Sequence, residues 1–185
     1  LYKPAVNSRL FEFSPSSLAL PFIIIAFAMM EKRRWLFFAI SMIFLLGLKE
    51  HMGIVLIGFG LYKIFQKDYS TGALLSGLGF LISYTMIFQV MPYFRDYQPF
   101  INTQIDPFHN IQGKLIYLVK LNWPLGFLPL IFWRYGILAA PAIGVNLISG
   151  RDSMFSSSFH HDDISSILLL MTCVMVVHEK RDSFL

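Results

Sequence analysis

Three consecutive ionisable residues, Lys49, Glu50 and His51, interrupt an apolar stretch at Leu45–Leu61, which reads LLGLKEHMGIVLIGFGL. A complete membrane crossing needs about 20 apolar residues, and the runs on either side of this triplet are shorter. Two structures fit: a hairpin of two short spans that turns at the triplet, or one long tilted helix that carries it near mid-membrane. Each ionisable residue at a helix centre costs about 2.5–3.5 kcal/mol on insertion scales, so the pattern favours the hairpin.

The composition indicates an integral membrane protein. Hydrophobic residues make up 56% of the 185 residues and charged residues only 14%, whereas about a quarter of a soluble domain is charged. The net charge of +4 is small, and its Lys and Arg residues are scattered into short loops, which disfavours nucleic-acid binding. Cys173 is the one cysteine, which leaves no disulfide within the chain and no cysteine-based metal site.

The apolar runs predict an all-α fold, a polytopic transmembrane helix bundle that forms a single membrane domain over 1–185. We expect about seven membrane segments, several of them short or broken by proline. Their predicted bounds are 17–30, 35–48, 52–65, 72–90, 115–132, 136–148 and 164–177. Two long polar loops, 93–113 and 150–163, are predicted on the outer side of the membrane.

Small residues and prolines predict how some of these helices pack. Gly72 and Ser76 have the spacing that lets a second helix approach closely, and Gly136, Ala140 and Gly144 suggest a similar stripe. Prolines within the two segments between 115 and 148 predict a broken pair of helices that turns at 133–135.

The distribution of charge predicts the orientation. Counting turns places eight Lys or Arg residues on one side, mostly in short dense loops, and seven on the other. Short basic loops are typical of the cytoplasmic side. The opposite, outer side then receives most of the histidines and acids, including Glu50 with His51, Asp106 with His109, and the run 160–163.

These outer residues are the candidates for chemistry. Glu50 and His51 form a candidate catalytic pair, because a carboxylate can orient an imidazole and tune its pKa; a wetted polar turn explains them equally well. Arg95 and Arg151 are candidates for binding a donor phosphate in a bidentate manner, or are ordinary interfacial arginines. The candidates for binding an acceptor or a divalent metal ion are His160, His161, Asp162 and Asp163. A solvated loop with Asp163 as a helix N-cap is the alternative.

Several short motifs, in their order along the chain, resemble an uncharacterised prokaryotic membrane-protein family, domain of unknown function 2079, which looks related to the C-type (GT-C) glycosyltransferases. The motifs are Phe13-Ser14-Pro15, Leu18-Ala19-Leu20-Pro21, Leu48-Lys49-Glu50, Gly126-Phe127-Leu128-Pro129-Leu130, Ala140-Pro141 and Asn146-Leu147-Ile148-Ser149. The resemblance implies a polytopic protein of the prokaryotic inner membrane that transfers a sugar from a polyprenyl-phosphate donor at the outer face.

The chain begins at Leu1 without an initiating methionine or a signal peptide. We therefore expect an N-terminally truncated fragment, whose missing part would hold the acidic residue that members of the superfamily place in the first outer loop. A secondary transporter is the alternative function, with residues 49–51 as a coupling site. A non-catalytic membrane scaffold is the third.

Overall fold

A computed structural model describes residues 18–48, 52–94, 105–155 and 163–184, without the side chains of 94 and 181–184. Most of these residues are helical, and the β structure among them is one isolated bridge between Ile105 and Ser149. The predicted all-α class is therefore confirmed for the described part of the chain. The described residues form two compact units, one within 13–103 and one within 104–185, which we call the N-terminal and C-terminal units.

The N-terminal unit consists of consecutive apolar helices. They are α1 (Ala19–Glu31), α2 (Trp35–Leu48), α3 (Gly53–Phe65) and α4 (Tyr69–Thr85), and α4 continues through a π-helical turn (Met86–Val90) into α5 (Met91–Phe94). Within the described ranges, the continuous helix Tyr69–Tyr93 is the one long and apolar enough to cross a membrane, and α1 to α3 are shorter apolar helices. The predicted number of about seven spans stays a prediction.

The contact between two aromatic rings decides whether the stretch 35–65 forms a hairpin or one long helix. The ring centroids of Phe38 in α2 and Phe59 in α3 lie 6.3 Å apart. In one continuous helix these residues would be about 31 Å apart, at about 1.5 Å per residue. The contact excludes the single long helix and fits the predicted hairpin, whose turn residues 49–51 lie outside the described ones.

An ion pair joins the end of α1 to the last turn of α3, beside the two short turns of this unit. The Nζ atom of Lys63 lies 2.6 Å from the carboxylate of Glu31 and donates a second hydrogen bond, of 2.9 Å, to the side chain of Gln66. The Lys63 side chain is only 10% exposed. The turns after α1 and after α3 therefore lie at the same end of the unit, as the turn count predicts.

Helices α3 and α4 approach each other through glycine. A Cβ atom built on Gly60 would lie 2.2 Å from the hydroxyl of Ser76 and 2.7 Å from the carbonyl oxygen of Gly72. Gly53 and Gly79 make a similar contact nearer the other end of the pair, because a Cβ on Gly53 would lie 2.9 Å from the Gly79 oxygen. The predicted close approach at Gly72 and Ser76 is thus confirmed, and α3 is the partner.

The C-terminal unit is built of shorter pieces around one long helix. It contains α6 (Ile111–Asn122), a 3₁₀ turn (Trp123–Leu125), α7 (Leu128–Ile131), α8 (Trp133–Gly136), α9 (Ala140–Ile148), a second 3₁₀ turn (Asp152–Phe155) and α10 (Asp163–Phe184). Proline occupies the first turn of three of these short pieces, at 124, 129 and 141. There its missing N–H costs no helical hydrogen bond.

The chain between 115 and 148 was predicted as a pair of helices, but it forms more and shorter helical pieces. Gly126 and Phe127 both have a left-handed backbone, with φ of 60° and 57°, and they separate the first 3₁₀ turn from α7. The expected stripe of Gly136, Ala140 and Gly144 is wrong for a physical reason: Gly136 ends α8, whereas the other two lie in α9. Gly136 instead packs against the carbonyl oxygen of Pro129, 2.2 Å from where a Cβ would lie.

The end of α10 packs against α8 and the residue before it. The hydroxyl of Tyr135 donates a hydrogen bond to Glu179, and the Nζ of Lys180 lies 5.5 Å from the ring centroid of Phe132. Nearer the middle of α10, Thr172 donates to the backbone oxygen of Tyr135. The turn at 133–135 and the charged residues that follow 177 therefore share one end of the C-terminal unit.

We predict that Gly60→Ala destabilises the protein by about 1–3 kcal/mol, because its methyl group would overlap the backbone of α4. Gly77→Ala is the matched control: it lies in α4, a Cβ there would meet nothing within 4 Å, and removing a helical glycine stabilises by up to about 1 kcal/mol. Thermal unfolding in detergent micelles, followed by circular dichroism, measures both. Equal unfolding temperatures for the two variants would contradict the proposed packing.

Candidate functional site

Several polar side chains come together where the two predicted outer loops meet. The bridge between Ile105 and Ser149 is reinforced by a hydrogen bond of 3.1 Å from the N–H of Asp106 to the carbonyl of Ile148. This short antiparallel contact holds the segment before α6 against the segment after α9. Polar side chains from both loops thereby come within hydrogen-bonding distance.

Local hydrogen bonds give the segment before α6 a defined shape. The carboxylate of Asp106 accepts hydrogen bonds from the N–H groups of Phe108 and His109. Asn110 then takes a left-handed backbone, with φ of 46°, and its side chain caps α6 by accepting from the N–H of Gly113. Short polar side chains that bond to nearby N–H groups favour such turns over helix, which explains why α6 begins where it does.

Asp152 links the second loop to the first. One of its carboxylate oxygens lies 2.8 Å from the side-chain nitrogen of Asn110 and 3.3 Å from Nε2 of His109. The hydrogen bond from Asn110 is the main cause that lowers the pKa of Asp152 below its ordinary value, and interactions with His109 and Lys114 lower it further. Asp152 is therefore a carboxylate at neutral pH.

Lys114 supplies a positive charge that is fixed in place. Its buried Nζ donates hydrogen bonds of 2.8 Å and 3.0 Å to the backbone oxygens of Asp106 and Pro107, and it lies 5.4 Å from the ring centroid of Phe155. A lysine held in this way has lost its rotational freedom, so it can stabilise a nearby negative charge without further ordering.

We call Asp106, His109, Asn110, Lys114 and Asp152 the loop cluster. It combines two carboxylates, an imidazole and a fixed ammonium group, which include the kinds of group that bind an anion and move a proton. The histidine and carboxylate pair lies largely exposed, with side-chain exposures of 42% and 67%. These two side chains of the cluster are thus accessible to a bound molecule, whereas Lys114 lies buried in contact with backbone oxygens.

The structure describes two of the site residues that the sequence predicts. Arg151 is half-buried beside the loop cluster, directly before Asp152, and its N–H donates to the Ser149 hydroxyl. Asp163 is buried in the first turn of α10. The remaining predicted residues, Glu50, His51, Arg95, His160, His161 and Asp162, lie outside the described ones.

Sequence reasoning noted Asp106 with His109 but not their partners. Lys114 opens an apolar run and resembles an interfacial residue, while Asn110 and Asp152 lie 42 positions apart. Nothing in the sequence pairs these two positions, because the contact depends on the bridge between the loops. Among the described residues, no group of three or more His, Cys, Asp or Glu side chains could hold a metal ion.

Comparison with known proteins identifies a family. The model of the family described as "Predicted membrane protein (DUF2079)" matches residues 1–105. No curated protein and no solved structure matches the chain.

We predict that Asp152→Asn lowers the thermal stability of the protein slightly at neutral pH, because the hydrogen bonds it accepts in the loop cluster weaken. The folded-state pKa of Asp152 is lowered, so the stability that its charge contributes is present above the unfolded-state pKa and is lost as pH falls through the folded-state value. The difference between the two unfolding temperatures should therefore begin to shrink near pH 3.8, the ordinary pKa of an aspartate, and should shrink further as the pH falls through the lower folded-state pKa. A difference that stays constant from pH 7 to pH 3 would contradict this role.

Proposed function

The chain belongs to the DUF2079 family of predicted membrane proteins, and we propose that it is part of a GT-C-type glycosyltransferase-like protein of the prokaryotic inner membrane. In this proposal the protein transfers a sugar from a polyprenyl-phosphate donor to an acceptor at the outer face. The observation that carries the proposal is the loop cluster beside Arg151, which gathers cationic and proton-transferring groups from the two loops predicted to face outward.

The chemistry of sugar transfer explains why such a cluster would be useful. The bond between the sugar C1 and the phosphate oxygen breaks as a bond forms to an acceptor oxygen, and the acceptor proton passes to a base. Negative charge develops on the departing phosphate, which cations already fixed in place stabilise best. Lys114 and Arg151 would supply that charge in the C-terminal unit.

The other predicted site residues take roles in the same proposal. Glu50 and His51 are proposed to serve catalysis, with Glu50 as a candidate base. Arg95 is a second candidate for binding the donor phosphate. The acceptor, or a divalent metal ion, is proposed to bind at the run His160, His161, Asp162 and Asp163, where carboxylate and imidazole groups are suitable ligands.

We predict that Arg151→Gln lowers sugar transfer by the full-length protein about 10²-fold, the order expected when one stabilising group is removed from a developing negative charge. Arg151→Lys should retain part of the activity, because the charge stays and the bidentate geometry is lost. Transfer from a radiolabelled polyprenyl-phosphate sugar in reconstituted vesicles measures both.

The control is Arg134→Gln, which removes an arginine from α8. Its neighbour Tyr135 bonds to Glu179 and not to the loop cluster, so this variant should leave transfer unchanged. Undiminished transfer by Arg151→Gln would remove Arg151 from donor binding. In a separate arm, undiminished transfer by Glu50→Gln would remove Glu50 from the mechanism. An absence of transfer in the unaltered full-length protein would contradict the glycosyltransferase proposal as a whole.

A further inference from the structure

The turns 31–34 and 66–68 of the N-terminal unit end their helices in the same way. In each, the N–H of the left-handed residue, Arg33 or Lys67, bonds to the carbonyl three residues back, and the next N–H bonds five residues back. This is the Schellman ending, which favours glycine at the left-handed position because a Cβ is strained there. Here φ is 53° at Arg33 and 67° at Lys67.

The acidic side chains of these turns have partners inside the protein. Glu31 forms the ion pair with Lys63. Asp68 caps α4 by accepting from the N–H of Thr71, and this interaction with Thr71 is the main cause that lowers the pKa of Asp68. The positive charges of Lys63 and Arg33 lower this pKa further. The ion pair between Lys63 and Glu31 holds the two turns at the same end.

Four basic side chains are left exposed at this end, and among the described residues none of them forms a salt bridge. They are Lys32, Arg33, Arg34 and Lys67. The helix dipole favours a cation near a helix C-terminus, but it does not require one at a position where glycine fits the backbone better. The strained positions of Arg33 and Lys67 therefore point to a use for the charges themselves.

Exposed aromatic residues flank the four cations. Trp35 follows Arg34 directly and is 43% exposed, and Tyr69 follows Asp68 and is 64% exposed. Tryptophan and tyrosine are enriched at membrane–water interfaces, where the ring lies at the level of the lipid head groups. This end of the N-terminal unit therefore has the side chains expected at the head-group level.

We propose that Lys32, Arg33, Arg34 and Lys67 form a binding surface for acidic phospholipid head groups. Arginine pairs with phosphate through two parallel hydrogen bonds, and lysine adds a point charge. The surface selects acidic over zwitterionic lipids, and it anchors both helical hairpins to the same leaflet. It is independent of sugar transfer, so its test does not depend on the proposed activity.

Quenching of Trp35 fluorescence tests the proposal directly. The full-length protein, with Trp123→Phe and Trp133→Phe to leave Trp35 as the one tryptophan of the 185 residues, is reconstituted in phosphatidylcholine vesicles. Two vesicle preparations are compared. One contains brominated phosphatidylglycerol, and the other contains the same mole fraction of brominated phosphatidylcholine. The acidic brominated lipid should quench Trp35 several-fold more strongly, with the preference weakening at 1 M salt.

The double variant Arg33→Gly and Lys67→Gly should lose most of this preference, because each charge near the membrane surface contributes about 1 kcal/mol, or about fivefold. It should keep or raise thermal stability, because glycine relieves the backbone strain. Arg33→Lys with Lys67→Arg keeps the charges and should keep the preference. Lys120→Gln, an exposed lysine of α6, should also keep it. Equal quenching by the two lipids, an undiminished preference in the double glycine variant, or an equal loss in Lys120→Gln would overturn the proposal.

Discussion

The close approach of α3 and α4 is the contact on which the N-terminal unit depends. Lipid tails are as apolar as leucine, so helices in a membrane associate through close packing rather than through the hydrophobic effect. Gly53, Gly60, Gly72 and Gly79 allow that packing along the length of α3, because no side chain separates the two backbones. The antiparallel alignment that results fixes which helix ends lie together.

The Lys63–Glu31 ion pair then relates α1 to this packed pair. It lies at the end where both short turns lie, and it uses a lysine that would otherwise be buried without a counter-charge. Burying one partner alone would be costly, so the ion pair constrains the register of α1 against α3. The exposed cations of the two turns are consequently gathered at one end, where a single membrane leaflet can meet them.

Local sequence patterns predicted the helices well because each apolar run carries its own information. The apolar run at 35–48 coincides with α2, and the spacing of Gly72 and Ser76 indicated a close helix contact without naming α3 as the partner. Contacts between distant segments could not be predicted in this way. The bridge between Ile105 and Ser149, and with it the pairing of Asn110 with Asp152, depends on the folding of α6 to α9. The predicted stripe of Gly136, Ala140 and Gly144 failed for the same reason. The helix ends at Gly136, which packs against Pro129, and α9 begins only at Ala140.

The two units present different chemistry at their polar ends. The loop cluster of the C-terminal unit holds a fixed lysine and a carboxylate paired with histidine. These groups suit the binding of an anion and the transfer of a proton. The basic turns of the N-terminal unit hold four exposed cations that form no salt bridge among the described residues, which suits a permanent contact with an anionic surface. In the orientation that the charge distribution predicts, the loop cluster faces the outer side and the basic turns face the cytoplasm.

Cysteine accessibility in intact cells tests this sidedness most directly. With Cys173 replaced by serine, single cysteines are placed at Phe108, which is 79% exposed before α6, and at Lys32, which is exposed in the first turn. A membrane-impermeant maleimide added outside should label the cysteine at 108 at once, and the one at 32 only after the cells are permeabilised. Labelling of the cysteine at 32 from outside, or of the one at 108 only after permeabilisation, would contradict the account.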